Sequence, residues 1–345
     1  TVQNFTEHGV SINDSSYFGV DKGGLTVTTN QVVAENIDQF GIRFVAGSSG
    51  WLHTVEVSNV RNGIALFGGS MTYAYSFNIH DVETAIRVGD SSFLKYGEGN
   101  SVIENTSDKA IRVYTGTFAH WDGSLQISGL SNRALEADRA ALEIVGLTVT
   151  GNPDTGEDLI AIHNSKFRIV DLDLSDSGRN GLQVGGSEGQ IRNATITNSQ
   201  EHGLRLSAAS VNLDGIIAIN GSGRDGMRIE HGSAVRGGWW DPNEAGRPEY
   251  TITVTNSGRN GIQVNNNSSL ALDNFLIDTS GHSGLQISTS SVVEGAWRNP
   301  DLTNLPDYMV KVTNSSRNGI EVHRNSTLNL ANFLVENSSG DGLRI

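Results

Sequence analysis

Three stretches of the chain repeat one phrase: DSGRNGLQV at residues 176–184, NSGRNGIQV at 256–264 and SSRNGIEV at 315–322. Each carries a glycine followed by two aliphatic residues two apart. Apolar, polar, apolar is the alternation of a strand with one buried face. A phrase that keeps returning marks a repeat architecture, and the period of the repeat then decides the fold.

Aligned on the small residue before the aliphatic pair, the marks are Gly9, Gly41, Gly63, Ala85, Ala110, Ala134, Leu159, Gly181, Gly203, Gly226, Gly261, Gly284, Gly319 and Gly342. Ten of the thirteen intervals lie between 22 and 25 residues, and the other three are one period plus roughly ten to twelve. One residue after the marks stand Val10, Ile42, Ile64, Ile86, Ile111, Leu135, Ile160, Leu182, Leu204, Met227, Ile262, Leu285, Ile320 and Leu343. Three after them stand Ile12, Phe44, Leu66, Val88, Val113, Ala137, Ile162, Val184, Leu206, Ile229, Val264, Ile287, Val322 and Ile345. Every entry is apolar. A period this short holds about three strands and has no room for a βαβ unit, so each strand should pair with its equivalent one coil on.

Five residues before the marks, a polar column runs through Asn4, Asn36, Ser58, His80, Asn105, Asp176, Asn198, Asn256, Asn314 and Asn337. Asn tolerates the left-handed backbone of tight turns, and its amide can bond its neighbour one coil away. An internal Asn ladder is expected there, with the mark glycine permitting an unusual backbone.

The pattern resembles the right-handed parallel β-helix superfamily of pectate lyases, mannuronan epimerases and phage tailspikes, above all its short-repeat branch written N-x-G-I-x-V. The resemblance spans essentially the whole chain. The expected fold is all-β, a single-stranded right-handed parallel β-helix (solenoid) of about 14 coils with 22–25 residues per coil and an Asn ladder. It would form one domain over residues 1–345, with insertions near 13–31, 236–249 and 294–307. The handedness is implied by the family and by the preference for right-handed crossovers. The superfamily hosts lyases, hydrolases, epimerases, adhesins and inert stalks, so activity must be read from particular residues.

Composition narrows the partners. The net charge is −14, from 38 acidic and 24 basic residues, which argues against nucleic acid. There is no cysteine, hence no thiolate nucleophile or metal site. No apolar run is long enough to span a bilayer. A surface poor in Lys and rich in acid suits a salty or extracellular setting, and the expected location is extracellular, the cell surface or a virion. No cofactor is called for. Calcium at the Asp/Asn-rich turns is a lesser alternative, because the GGxGxDxUx nonapeptide is missing.

Candidate sites lie where the repeat makes no demand. VRGGWWDPNEAGRPEY (235–250) and VEGAWRNPDLTNLPDY (293–308) align at an offset of 58 residues, matching Trp239 with Trp297 and Tyr250 with Tyr308. Two such loops, two coils apart, should form the walls of a groove, with Trp239, Trp240, Trp297, Tyr250 and Tyr308 offering ring faces to sugars. Trp51 and Trp121 occur at a similar phase of their coils, as do Tyr73 and Tyr96; for Trp51 and Trp121, capping the core or pinning the loops is favoured over sugar contact. An outward row between the core positions includes Arg43, Arg87, Arg112, Arg205, Arg228 and Arg344. Guanidinium forks could grip an acidic polysaccharide, with Arg205 and Arg228 as the chosen pair. Pairing with Asp and Glu of neighbouring coils is the favoured alternative. No complete catalytic motif is present. WDPNE (240–244) has Asn243 where the epimerase Asp-Pro-His pattern would put histidine, and SGHSG (280–284) lacks the second neighbouring glycine of a Gly-His-Gly. The loop acids Asp241, Glu244, Glu249 and Asp307 are the catalytic candidates.

The expected function is a secreted or surface-exposed carbohydrate-binding β-helix of the tailspike, adhesin or exoprotein kind, with polysaccharide as partner. The alternatives are a lyase, C5-epimerase or glycoside hydrolase on an acidic polysaccharide, and a stalk or filament subunit without a ligand. The chain opens within a coil at TVQNFTEHGVSI and stops on a core residue at DGLRI. Further coils, a cap, homo-oligomerisation or end-to-end packing are expected to cover those ends.

Overall fold

The computed structural model describes residues 1–20, 24–29, 39–97, 99–238, 248–295 and 307–345. Its strands run parallel and stack as a β-solenoid of about 13 turns, and the only helical element among the described residues is the short 3-10 turn Pro153–Thr155. The chain is a parallel β-solenoid. Fourteen marks bound thirteen turns, which accounts for the difference from the expected count. Two compact units are distinguished, Thr1–Leu172 and Asp173–Ile345.

In the first unit the strands that follow the marks form one ladder, with Val10, Ile42, Ile64, Ile86, Ile111, Leu135 and Ile160 in register. The second unit repeats this with Leu182, Leu204, Met227, Ile262, Leu285, Ile320 and Leu343. From Ile42 to Ile320 these side chains are buried. Each contributes about 1.5–3 kcal/mol on burial, so the two aliphatic columns dominate the stability of both units. The remainder of the coil is a longer strand bent at a left-handed residue in Ala141–Thr150, Lys166–Ser175, Glu188–Thr197 and Ser210–Asn220, where Gly146, Asp171, Asn193 and Gly215 make the bend. In the strand Glu188–Thr197 the bend is Asn193, φ 53°, where the register shifts between Arg192 and Ala194.

The mark glycine has a different purpose from the expected one. At Gly261 the backbone is ordinary, but a Cβ would meet the Gly284 carbonyl at 2.8 Å and the Ile277 methyl closer still. Glycine stands there because the next coil leaves no space for a side chain.

The Asn column also moves. Asn198, Asn256 and Asn314 adopt the left-handed turn (φ 55°, 54° and 55°), and their amides bond the preceding coil: Asn198 to Asp176 at 3.0 Å, Asn256 to Asn220 at 2.7 Å, Asn314 to Asp278 at 2.7 Å. All three are exposed, so this ladder is external. The interior ladders stand elsewhere. The residue just before the mark accepts from the next coil's backbone, as Asn180 Oδ1 does from His202 N at 3.2 Å and Asn260 Oδ1 from Ser283 N at 3.3 Å. A buried serine column runs the other way: Ser233 N donates to Ser268 Oγ, Ser268 N to Ser291 Oγ and Ser291 N to Ser326 Oγ, each at 3.2 Å. These side chains satisfy backbone groups that the bends take out of the strand ladders.

The first insertion was expected near 13–31. Instead Tyr17–Val20 pairs with Ser49–Leu52 and Leu25–Thr28 with Val55–Ser58, so these residues belong to a regular coil. Residues 21–23 and 30–38 lie outside the described residues. The two later insertions leave from equivalent points. Gly237 and Gly295 both align with Leu272 and share an unusual backbone, φ 140° and 139°. A Cβ on either would run into a carbonyl of the preceding coil, that of Leu213 or Leu272.

Candidate functional site

Outward positions of the first long strand in each coil of the Thr1–Leu172 unit line up into a row. Trp51 lies opposite Tyr73, Tyr73 opposite Lys95, Lys95 opposite His120 and His120 opposite Glu143. Their neighbours Leu52, Ala74, Tyr96, Trp121 and Ile144 point inward and are buried. Strand alternation therefore presents one residue of each pair to solvent. The Trp51 and Tyr73 rings stack at 4.3 Å between centroids with 12° between planes, and Lys95 Nζ sits 5.8 Å from the Tyr73 centroid. His120 Nδ1 lies 3.0 Å from Glu143 Oε2, and Arg168 Nη1 donates to Glu143 Oε1 at 2.6 Å. Two residues earlier in the strands, Phe93 stacks on Phe118 at 5.3 Å, and two later His53 stacks on Tyr75 at 4.8 Å. Tyr17 (70%), Met71 (55%) and Trp51 (42%) are exposed. Aromatic, cationic and anionic groups thus share one face, fixed on strands rather than loops.

Of the aromatics grouped by phase, Trp51 and Tyr73 belong to this row. Trp121 and Tyr96 are fully buried core residues. Lys95, His120 and Glu143 were not singled out, although Lys95 and His120 stand ten residues after their marks, as Trp51 and Tyr73 do.

Trp239, Trp240, Trp297, Asp241 and Glu244 lie outside the described residues. The return ends of the two insertions are described and meet. The Tyr250 hydroxyl donates to the Tyr308 carbonyl at 3.2 Å, joining the bases of loops two coils apart. Burial raises the Tyr250 hydroxyl far above its ordinary pKa, and the Glu249 and Asp307 carboxylates add to the rise. The structure therefore brings Glu249, Tyr250, Asp307 and Tyr308 together. The Tyr250 ring is buried and unavailable to a sugar, whereas Tyr308 is exposed. One asparagine clamps each return. Asn274 accepts from Thr251 N at 2.7 Å and donates to the Glu249 carbonyl at 3.1 Å; Asn332 accepts from Met309 N at 2.6 Å and donates to the Asp307 carbonyl at 3.2 Å.

Arg205 and Arg228 converge on one carboxylate. Arg205 donates to Glu230 Oε1 through Nε at 3.0 Å and Nη2 at 2.8 Å, and Arg228 Nε donates to Oε2 at 2.7 Å. Glu230 is buried. Burial alone would raise its pKa, but the bonds from Arg228 and Arg205 hold it below the usual value. This agrees with neighbour pairing and leaves these two guanidiniums little capacity for a ligand. Beneath them His202 and Asp225 are buried. Burial, with Arg228 and Arg205 nearby, depresses His202 to about 3, and burial raises Asp225.

An open trough of about 450 Å³ in the Asp173–Ile345 unit is lined by turn residues including Gly223, Gly258, Gly281 and Asn256, none of them charged. Among the described residues no three His, Asp or Glu side chains converge as a metal site, and no helix is long and apolar enough to cross a membrane.

No protein-family model matches the chain, and no curated protein matches it. Among solved structures, the A-module of a mannuronan C-5 epimerase from Azotobacter vinelandii is similar over 94% of this chain and 89% of that chain, at 10% identity and a TM-score of 0.36. At that identity and score the likeness carries no argument about activity, and the fold rests on the strand ladders themselves.

Proposed function

We propose that the chain binds a polysaccharide along the outward row of the Thr1–Leu172 unit, as a secreted or surface-exposed protein of the tailspike, adhesin or exoprotein kind, acting outside the cell, at its surface or on a virion. The observation that carries this is the Trp51–Tyr73 stack, with Trp51 exposed and Tyr73 half-buried, in register with Lys95, His120 and Glu143. Pyranose rings present C–H faces that lie on aromatic planes, and the charged groups beside them can bond hydroxyls and carboxylates. A row that continues across coils suits a linear polymer. In affinity electrophoresis against a polysaccharide panel, wild-type protein should be retarded by at least one acidic glycan. The double variant Trp51→Ala, Tyr73→Ala should run as in a blank gel. Equal retardation of both proteins would place binding elsewhere.

A second function is favoured by the same row. His120 against Glu143, with Tyr73 and Lys95 adjacent, supplies the acid–base groups and the cation that proton abstraction beside a uronate carboxylate requires. A lyase would then produce ultraviolet-absorbing unsaturated ends, and a C5-epimerase would invert C5, as seen by proton NMR. His120→Ala should abolish either activity. Inert behaviour of the wild type on alginate, pectin and polygalacturonate would end this proposal and leave the binding one standing.

A further inference from the structure

The geometry points to a separate anion-reading row on the other ladder of the Thr1–Leu172 unit, formed by Arg43, Arg87 and Arg112 with Tyr114 and suited to the carboxylates of a linear acidic polysaccharide. Arg87 and Arg112 are in register on adjacent strands, and Arg43 stands two coils from Arg87 in the same outward column with Ala65 between. At about 4.8 Å per coil, the three guanidiniums span about 14 Å.

Like charges in register repel unless something neutralises them. Elsewhere in this acidic chain the neutraliser is protein: Arg205 and Arg228 share Glu230, and Arg133 pairs with Glu157 at 2.7 Å. Among the described residues Arg43, Arg87 and Arg112 have no such carboxylate. Glu136, opposite Arg112, is engaged by Lys109 at 3.4 Å and Arg133 at 3.9 Å. The partners of the row are instead aromatic. Arg87 lies 5.3 Å from the Phe67 centroid and 5.7 Å from that of Tyr114, Arg112 lies 5.4 Å from Tyr114, and Arg43 lies 5.3 Å from Phe40. Arg87 Nε also donates to the Tyr114 hydroxyl at 3.1 Å.

Stacking occupies the planar faces of a guanidinium and holds it still. It leaves the in-plane N–H edge, the part that takes a carboxylate through two parallel bonds. Two such edges sharing Tyr114, with the positive charge of Arg43, whose Nη1 is engaged by His8 Nε2 at 2.9 Å, further along the column, fit a chain of regularly spaced carboxylates better than one small anion. Binding through several equivalent contacts grows with chain length. The row is also too narrow and too isolated in this acidic chain for a duplex nucleic acid.

Fluorescence anisotropy with end-labelled uronic-acid oligosaccharides at low salt tests this. The octamer should bind, the dimer should bind far more weakly, and added salt should weaken both. Arg87→Gln with Arg112→Gln should weaken octamer binding about tenfold or more, and Arg112→Gln alone, which removes no hydrogen bond within the protein, should weaken it measurably. Arg139→Gln removes the same charge from an exposed residue paired with Asp138 and should change nothing. Wild-type affinity in both row variants would overturn the assignment, as would an equal loss in Arg139→Gln. A single-stranded DNA or a sulfated glycan of equal charge bound as tightly as the octamer would overturn the preference for carboxylate. Octamer binding that survives while Trp51 and Tyr73 prove irrelevant to every polysaccharide would sink the aromatic-row proposal and keep this one.

Discussion

Replacing His202 with Asn should flatten the acid side of the stability profile. His202 is 2% exposed, and its Nδ1 accepts from Asp225 N at 3.2 Å. The same column uses asparagine at Asn180, Asn260 and Asn318, whose Oδ1 atoms accept the equivalent bond, so His202→Asn keeps the acceptor and removes the ionisable ring. Burial and the nearby Arg228 and Arg205 lower the folded pKa from 6.5 to about 3. Between those values the unfolded chain binds a proton that the folded chain refuses. Stability from this site is therefore intact above the unfolded pKa and is lost as pH falls through the window. Between about pH 7 and about pH 5 the loss is about 2 kcal/mol, from 1.36 kcal/mol per unit over about one and a half units. Asp225 shifts in the opposite sense, but it is present in both proteins and drops out of the difference. Urea denaturation at the two pH values should show the wild type losing about 2 kcal/mol more than the variant. Parallel losses would mean that His202 is not held neutral by its surroundings.

Gly261→Ala should destabilise by about 1–3 kcal/mol through collision with the Gly284 carbonyl, where an unhindered glycine would give a gain; an unchanged or raised melting temperature would refute the packing account. Ser268→Ala strands the buried Ser233 N–H and should cost about 1–3 kcal/mol by chemical denaturation, whereas a neutral result would show that the serine column is not needed to satisfy the backbone. Asn274→Ala removes the clamp on the return of the insertion at 236–249 and should cost about 2 kcal/mol or more, because Asn274 is fully buried. Asn332→Ala should cost less, because that clamp is half-buried, and the reverse order in melting experiments would contradict this.

The two core columns were legible because each depends only on a local alternation that survives any error in counting coils. Thirteen of the fourteen pairs of positions fall into the ladders expected of them; in the last, Leu343 pairs and Ile345 lies beyond the strand. The functional face was harder to read because it depends on parity. Trp51 stands ten residues after its mark and Trp121 eleven after its own, and one residue turns a strand side chain from solvent to core. Grouping them by approximate phase mixed an exposed ring with a buried one and passed over Lys95 and His120. The Asn column was visible, but not its side of the wall. Exposed and interior ladders both want Asn, and only the bend positions tell them apart. The reason for the mark glycine was equally hidden, since the atom it avoids belongs to the next coil, more than twenty residues away in sequence.

Gly237 and Gly295, with their clamps Asn274 and Asn332, are separated by the same 58 residues, two full coils, and each pair repeats one backbone conformation and one set of bonds. Those two coils have the geometry of a cassette whose two ends match. A polymer built so can change length by whole cassettes without a new junction having to be invented, because every cut at Gly237 and Gly295 exposes ends that already match. Length in the Asp173–Ile345 unit is thus a quantity that can be counted in steps of 58 residues, and the number of loop-bearing corners rises or falls with it.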